Sequence, residues 1–339
     1  MDTTLFKIRE KDKFGFIDVN GQIVIEPQYI EAEDFHNGFS RVRFNDKLVP
    51  LDALGRLLMK HLFNEVGHFE EELAKARLVT LWGYIDRRGS LSIPIQFEQA
   101  EDFSEGLAAV KLGGQFGYIN KSGEFLIETK FESAGSFKNG LAPVSIDGQF
   151  GYIDTTGNFT IEANYDFCHP FQGEVAIIVK DNHWGLIHRN GEELLAPQFQ
   201  IFEDEIYGEF FQGMAIIIKE EKYGFINQKG EIVIDPIYDF AGDFSEGLAL
   251  VEINGAFGYI DLSGRLVILP VYEDAGIFSE GLAAIKKDKL WGFIQTNGKI
   301  AIETQFSNVS PFKHALAWIE KDGRWKYINK EGMEVWGEN

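Results

Sequence analysis

An aromatic residue, a glycine, a second aromatic and an isoleucine return along this chain at a fixed distance. The phrase reads Phe14-Gly15-Phe16-Ile17, Trp82-Gly83-Tyr84-Ile85, Phe116-Gly117-Tyr118-Ile119, Phe150-Gly151-Tyr152-Ile153, Tyr223-Gly224-Phe225-Ile226, Phe257-Gly258-Tyr259-Ile260 and Trp291-Gly292-Phe293-Ile294. Leu186 replaces the second aromatic in Trp184-Gly185-Leu186-Ile187, and Leu48-Val49-Pro50-Leu51 and Trp325-Lys326-Tyr327-Ile328 are weaker copies. The centres fall at 15, 49, 83, 117, 151, 185, 224, 258, 292 and 326, in steps of 34 with one of 39. A fixed period points to stacked copies of one unit and overrides the division into several domains that 339 residues would otherwise suggest. The expectation is a single array over 1–339.

Each unit reads as three strands. The first, such as Leu107-Ala108-Ala109-Val110-Lys111, meets a tight turn such as Asn254-Gly255, Asp147-Gly148 or Asp322-Gly323. These dipeptides tolerate positive φ, as a two-residue hairpin turn requires. The aromatic-glycine strand follows, with alternate side chains on opposite faces and both faces apolar, so both are covered. Gly83, Gly117 and Gly151 sit between large rings and are read as packing residues that let a neighbouring backbone come close. Next comes Asp-x-x-Gly, as at Asp86 with Gly89 and Asn120 with Gly123: the acid closes a turn on its own backbone and the glycine takes the left-handed conformation. A third strand such as Ile232-Val233-Ile234 is expected to stop at a proline (Pro27, Pro197, Pro236, Pro270), which lacks a donor for the ladder.

A connector of about a dozen residues then carries two fixed aromatics. Of these, Phe103, Phe137, Phe244 and Phe278 occupy the second place and are read as buried anchors between units. With 30 Phe and 14% aromatic residues, the units must stack to bury such rings. Unit two breaks the pattern at Val49-Pro50, which suggests an exposed edge or a bent strand. An insert at 203–209 accounts for the one long step. Insertions in arrays lie on one face, often the binding face, so Glu203, Asp204, Glu205 and Tyr207 become the candidate binding residues.

The recurring Trp-Gly-Tyr-Ile-Asp, then glycine, a β-branched pair, proline, an aromatic and Phe-x-x-Gly-Leu-Ala resembles the WG repeat, also called KWG. The resemblance runs over essentially the whole chain and is weakest in units two and ten. It implies a β-rich, mostly bacterial interaction module whose ligand is undetermined, and it brings no catalytic residues.

The residues themselves offer little chemistry. Formal net charge is -21, from 53 acidic and 32 basic residues, which argues against nucleic acid and anionic membranes as partners. Cys168 stands alone, so neither a disulfide framework nor a cysteine metal site is expected. His183 and His188 lie on opposite faces of one strand, which disfavours a shared metal. Connector acids (Glu101, Asp102, Glu132, Asp239, Asp243, Glu273, Asp274) could pair for glycoside hydrolysis, but they recur with the repeat and read as a solvated stripe. The chain starts without a signal-peptide apolar region, and a cytoplasmic setting is expected.

Three functions remain. The first is a non-catalytic scaffold for a protein partner, using the connector face and the insert, without cofactor or metal. The second is a carbohydrate or cell-envelope binder, for which Trp82, Trp184 and Trp291 would face solvent as stacking platforms. A hydrolase built on the connector acids is the third. Whole three-stranded units at both ends favour an open, curved or superhelical β-solenoid over closed propeller-like rings, whose blades have four strands.

Overall fold

The computed structural model describes residues 4–58, 63–200 and 209–337. Among these there are only strands, turns and irregular segments, gathered into ten small antiparallel sheets. Contacts divide the chain into two compact units, Met1–Asp18 with Gln22–Pro197, and Val19–Gly21 with Gln198–Asn339.

Seven sheets have four strands, two have three and one has two. The sheet around Gly117 runs Gln99–Ala100, Leu107–Leu112, Gln115–Asn120 and Phe125–Phe131 in that order. Three strands per unit holds for two sheets and is one too few for seven, and the inference of an open array loses that premise. The missed strand is two residues long and lies inside the connector, too short to display a period. It is folded back by a second tight turn that sequence reading also missed: Glu105 and Gly106 both have positive φ (55° and 81°), and Ser104 bridges Leu107.

The aromatic-glycine glycines keep an ordinary φ; their requirement is space. A Cβ on Gly117 would stand 2.6 Å from Ile127 O and 2.9 Å from Thr129 N of the third strand. The same close approach recurs at Gly83 and Gly151, with Ile93 O at 2.6 Å and Ile161 O at 2.5 Å. At this point the third strand bulges, shifting register between Phe116 and Tyr118. That bulge corrects the reading of proline. Ile23–Tyr29 and Ile232–Tyr238 run straight through Pro27 and Pro236, whose nitrogens lie 2.5 and 2.6 Å from where a Cβ on Gly15 or Gly224 would be. Proline is tolerated because its donor-less nitrogen faces the bulge, where no ladder bond is required.

Among the described residues unit two keeps only the pair Phe39–Phe44 and Lys47–Asp52 as a sheet. Its Val49, Pro50 and Leu51 are buried, so Pro50 does not mark an exposed edge. Elsewhere each core cluster spans two consecutive sheets. Tyr84, Ile93 and Phe97 pack with Phe103, Val110 and Ile119 of the next sheet. The fixed aromatics are the anchors expected, with Phe103, Phe137, Phe244 and Phe278 at most 3% exposed. Each meets the second aromatic of the preceding unit, with ring centroids 4.8 Å apart for Tyr84–Phe103, Tyr118–Phe137, Phe225–Phe244 and Tyr259–Phe278.

The acid of the second turn caps it as anticipated: Asp86 Oδ1 accepts from Arg88 N (2.9 Å) and Ser90 N (2.8 Å). Gly123 has φ +82°, and a Cβ there would be 3.1 Å from Ile93 Cγ2 of the preceding sheet. Gly123→Val is expected to cost about 2 to 3 kcal/mol from backbone strain, visible as a lower thermal midpoint; an unchanged midpoint would show that the turn adapts.

Candidate functional site

Glu203, Asp204, Glu205 and Tyr207 lie outside the described residues. The site that can be built from side chains is the connector, where two rows of side chains have different duties; Glu101 and Asp102 belong to neither row and lie 3.6 Å from Lys75 Nζ, Asp274 accepts from the adjacent Ala275 N (2.8 Å), and Asp243 also stands apart.

The first row caps the tight turn of its own sheet. Glu98 accepts from Gly113 N (2.8 Å), Glu132 from Gly148 N (2.8 Å), Asp166 from Asp181 N (2.7 Å), Asp239 from Asn254 N (2.7 Å) and Glu273 from Lys289 N (3.2 Å). A two-residue turn leaves these amides pointing outward, and a carboxylate placed 15 or 16 residues earlier, at the bend just before the short strand, reaches them. Lys222 beside Asp239, joined by the Asn254 amide, holds that carboxyl below its usual range.

The second row links sheet to sheet. Glu105, in its left-handed turn, accepts from Asn139 N (2.7 Å) and Gly140 N (2.8 Å), which form the same turn one unit later. Glu71 accepts from Gly106 N (3.0 Å), Gln212 from Gly247 N (2.8 Å), Glu246 from Gly281 N (2.8 Å), and Glu280 from His314 N (2.6 Å) and Ala315 N (2.8 Å). Gly173 stands at the same place in its unit and has no side chain to offer. Lys121 and Lys330 reach Glu71 and Glu280 at 3.0 and 3.1 Å.

Hydroxyls add a second set of links. Ser104, Ser245 and Ser279 donate to Phe137 O, Phe278 O and Phe312 O at 2.7 to 2.8 Å. Tyr84, Tyr118, Tyr152 and Tyr259 donate to carbonyls of the following connector at 2.6 to 2.8 Å.

For Glu71 and Glu280 burial pushes the pKa upward. It is outweighed by the facing lysine and the backbone amides, and both groups end below the usual range. A carboxyl depressed in the folded state contributes stability that is complete above its unfolded value near 4.5 and is lost as pH falls through its folded value. The thermal midpoint is therefore expected to be level at neutral pH and to drop below about pH 4.5. Glu71→Gln should flatten part of that drop, and an identical acid profile would remove Glu71 from it.

Among the described residues Asp243 is the carboxyl pushed upward, by burial and then by the charge of Glu209. The remaining expected chemistry does not converge. Burial raises the Cys168 thiol to about 12, and His183 Nδ1 lies 2.7 Å from the carbonyl of Asp181. No group of three or more His, Cys, Asp or Glu among the described residues could hold a metal ion.

The tryptophans do not form an exposed row. Trp184 is buried, and Trp82 and Trp291 are half-buried with cations over their rings: Arg77 and Lys75 at 5.5 and 6.0 Å, and Lys286 at 5.6 Å.

Sequence reading missed a histidine pair. His36 and His68 stand edge to face at 5.2 Å, with His36 Nε2 2.7 Å from Glu70 and His68 Nε2 3.6 Å from Glu33. Burial, with the charge of Arg41, lowers the pKa of His68. The available signal was that His36 and Glu70 hold the same place in consecutive units.

Comparison with known proteins agrees with the repeated geometry. The family model described as "WG containing repeat" matches residues 14–47, 82–115, 116–149, 150–183, 184–223, 223–255, 257–291 and 291–325, passing over units two and ten. No curated protein matches. Among solved structures, a eukaryotic initiation factor is 10% identical, with a TM-score of 0.54 over 99% of this chain and 96% of its own, a likeness of fold alone. A computationally designed protein, Ika8, is 12% identical, with a TM-score of 0.44 over 97% of each chain. BamB from Moraxella catarrhalis is 11% identical, with a TM-score of 0.38 over 82% of this chain and 91% of its own. Eight matched stretches, each opening at or beside an aromatic-glycine strand, span most of the sequence, and the chain belongs to the WG containing repeat family.

Proposed function

We propose that this chain is a non-catalytic cytoplasmic scaffold that binds a protein partner of basic surface, with the insert in unit six as its contact. The observation that supports it is the use of the recurring side chains: rings fill the joints between sheets, and two rows of connector side chains accept backbone amides, so most of what recurs serves the fold. What distinguishes one unit from another is surface charge and the single insert. Glu203, Asp204, Glu205 and Tyr207 combine negative charge with an aromatic, a pairing suited to a basic, partly apolar protein surface.

Capture experiments with the intact chain and with a chain lacking five residues of 203–207 test the reading. The same fold by circular dichroism with loss of a salt-sensitive partner is expected; an unchanged set of partners would return the insert to a neutral loop.

The carbohydrate reading keeps one observation in its favour, the exposed Trp325 lying edge to face with Trp318 at 4.5 Å. A change in tryptophan fluorescence on adding soluble polysaccharide, abolished in Trp325→Ala, would support that reading over a protein partner.

A further inference from the structure

The outermost strand of each complete sheet has nothing beyond it in that sheet. Such open edges invite pairing with another chain, and natural proteins blunt them with charge. The middle exposed position of these strands carries Glu26, Glu128, Glu162, Asp235 or Glu303 in five sheets. In Leu266–Tyr272 that position is Leu269, which is 66% exposed, between Val267 at 40% and Val271 at 64%. Pro270 does not blunt this edge, because its nitrogen lies on the inner side, 2.7 Å from where a Cβ on Gly258 would be.

We propose that Leu266–Tyr272 is a self-association edge, where two copies of this chain pair antiparallel about Leu269. In that register Leu269 faces its own copy and Val267 faces Val271. The ends complete the argument. Arg265 precedes the strand and Glu273 follows it, both exposed; Arg265 lies 3.0 Å from Asp261 and Glu273 caps Lys289 N, and on pairing each arginine also comes opposite the other copy's glutamate. Sister strands do not offer this complement: the matching ends are Glu124 with Glu132 and Glu231 with Asp239, which would repel on self-pairing. A carboxylate in mid-strand would likewise meet itself.

This inference is independent of the partner proposed above, since it concerns another surface and needs no second protein. The test is sedimentation equilibrium on the full chain, compared with Leu269→Glu. That variant restores the residue type of the sister strands and is therefore expected to fold, which circular dichroism checks. The parent should dimerise in the micromolar range, and the variant's dissociation constant should rise about tenfold or more. Oxidation of Leu269→Cys should give a cross-linked dimer, whereas Glu303→Cys, at the same place in the next strand, should not; Cys168 is buried and gives little background. A parent that stays monomeric at these concentrations, or a dimer indifferent to Leu269→Glu, overturns the proposal.

Discussion

Gly117→Ala is expected to destabilise the protein by about 3 kcal/mol or more, an unusually large effect for the addition of one methyl group. The new carbon would stand 2.6 Å from Ile127 O and 2.9 Å from Glu128 C and Thr129 N, all of them backbone atoms. A flexible side chain could swing aside, but a strand held on the far side of its bulge cannot move without opening the Tyr118 to Ile127 pairing. The effect is steric and not conformational. Gly148→Ala is the contrast, since φ is +76° and nothing lies within 4 Å of its Cβ, so only backbone strain of about 1 kcal/mol is expected. Chemical denaturation of both variants checks the order, and equal midpoints would refute the close-approach reading.

Phe244→Ala is expected to cost ~3–5 kcal/mol. The ring is 2% exposed, meets Phe225 of the preceding sheet at 4.8 Å, and belongs to a cluster with Ile234, Tyr238, Val251 and Ile260 drawn from both sheets. Because the cavity would open at a joint, loosening should spread to the two sheets that share it. Amide exchange should quicken in Met214–Lys219 and Leu248–Ile253 while Leu141–Ile146 stays protected. Loss of protection across the whole chain would mean a single cooperative body, and no change at all would remove the anchor.

The parts of this fold that sequence could reveal are those where one residue type serves one purpose in every unit. Gly117 between two rings, Gly123 three residues after Asn120, and Phe137 in a polar connector each announce a physical need. The short strand Gln99–Ala100 was hidden because two residues have no periodicity, and Pro27 misled because its place on a bulge depends on Gly15 in another strand. The carboxylate row was harder still. Its member is Glu at 71, 105, 246 and 280 but Asn at 37 and 139, Gln at 212 and Gly at 173. Its partner is a backbone amide one unit away, which no residue identity marks. Asn37 and Asn139 turn the polarity around and donate to Phe69 O and Phe171 O at 2.9 and 3.2 Å. Identity varies while the link persists, except at Gly173, which has no side chain to make it. The candidate binding residues were named because they break the period, a signal of exception and not of geometry.

The central claim is that recurring polar residues of the connectors link neighbouring sheets within each compact unit. Hydrogen exchange at the Asn139 and Gly140 amides tests it most directly, comparing the parent with Glu105→Ala and Glu105→Gln. In the parent both amides bond to Glu105 and should be protected. Glu105→Ala should speed exchange at both by about tenfold or more while Gly148 N, capped by Glu132, is unaffected. Glu105→Gln keeps one accepting oxygen, as Gln212 does for Gly247, and should retain protection at Gly140 alone. Exchange at Asn139 and Gly140 that is the same in all three proteins would contradict the claim.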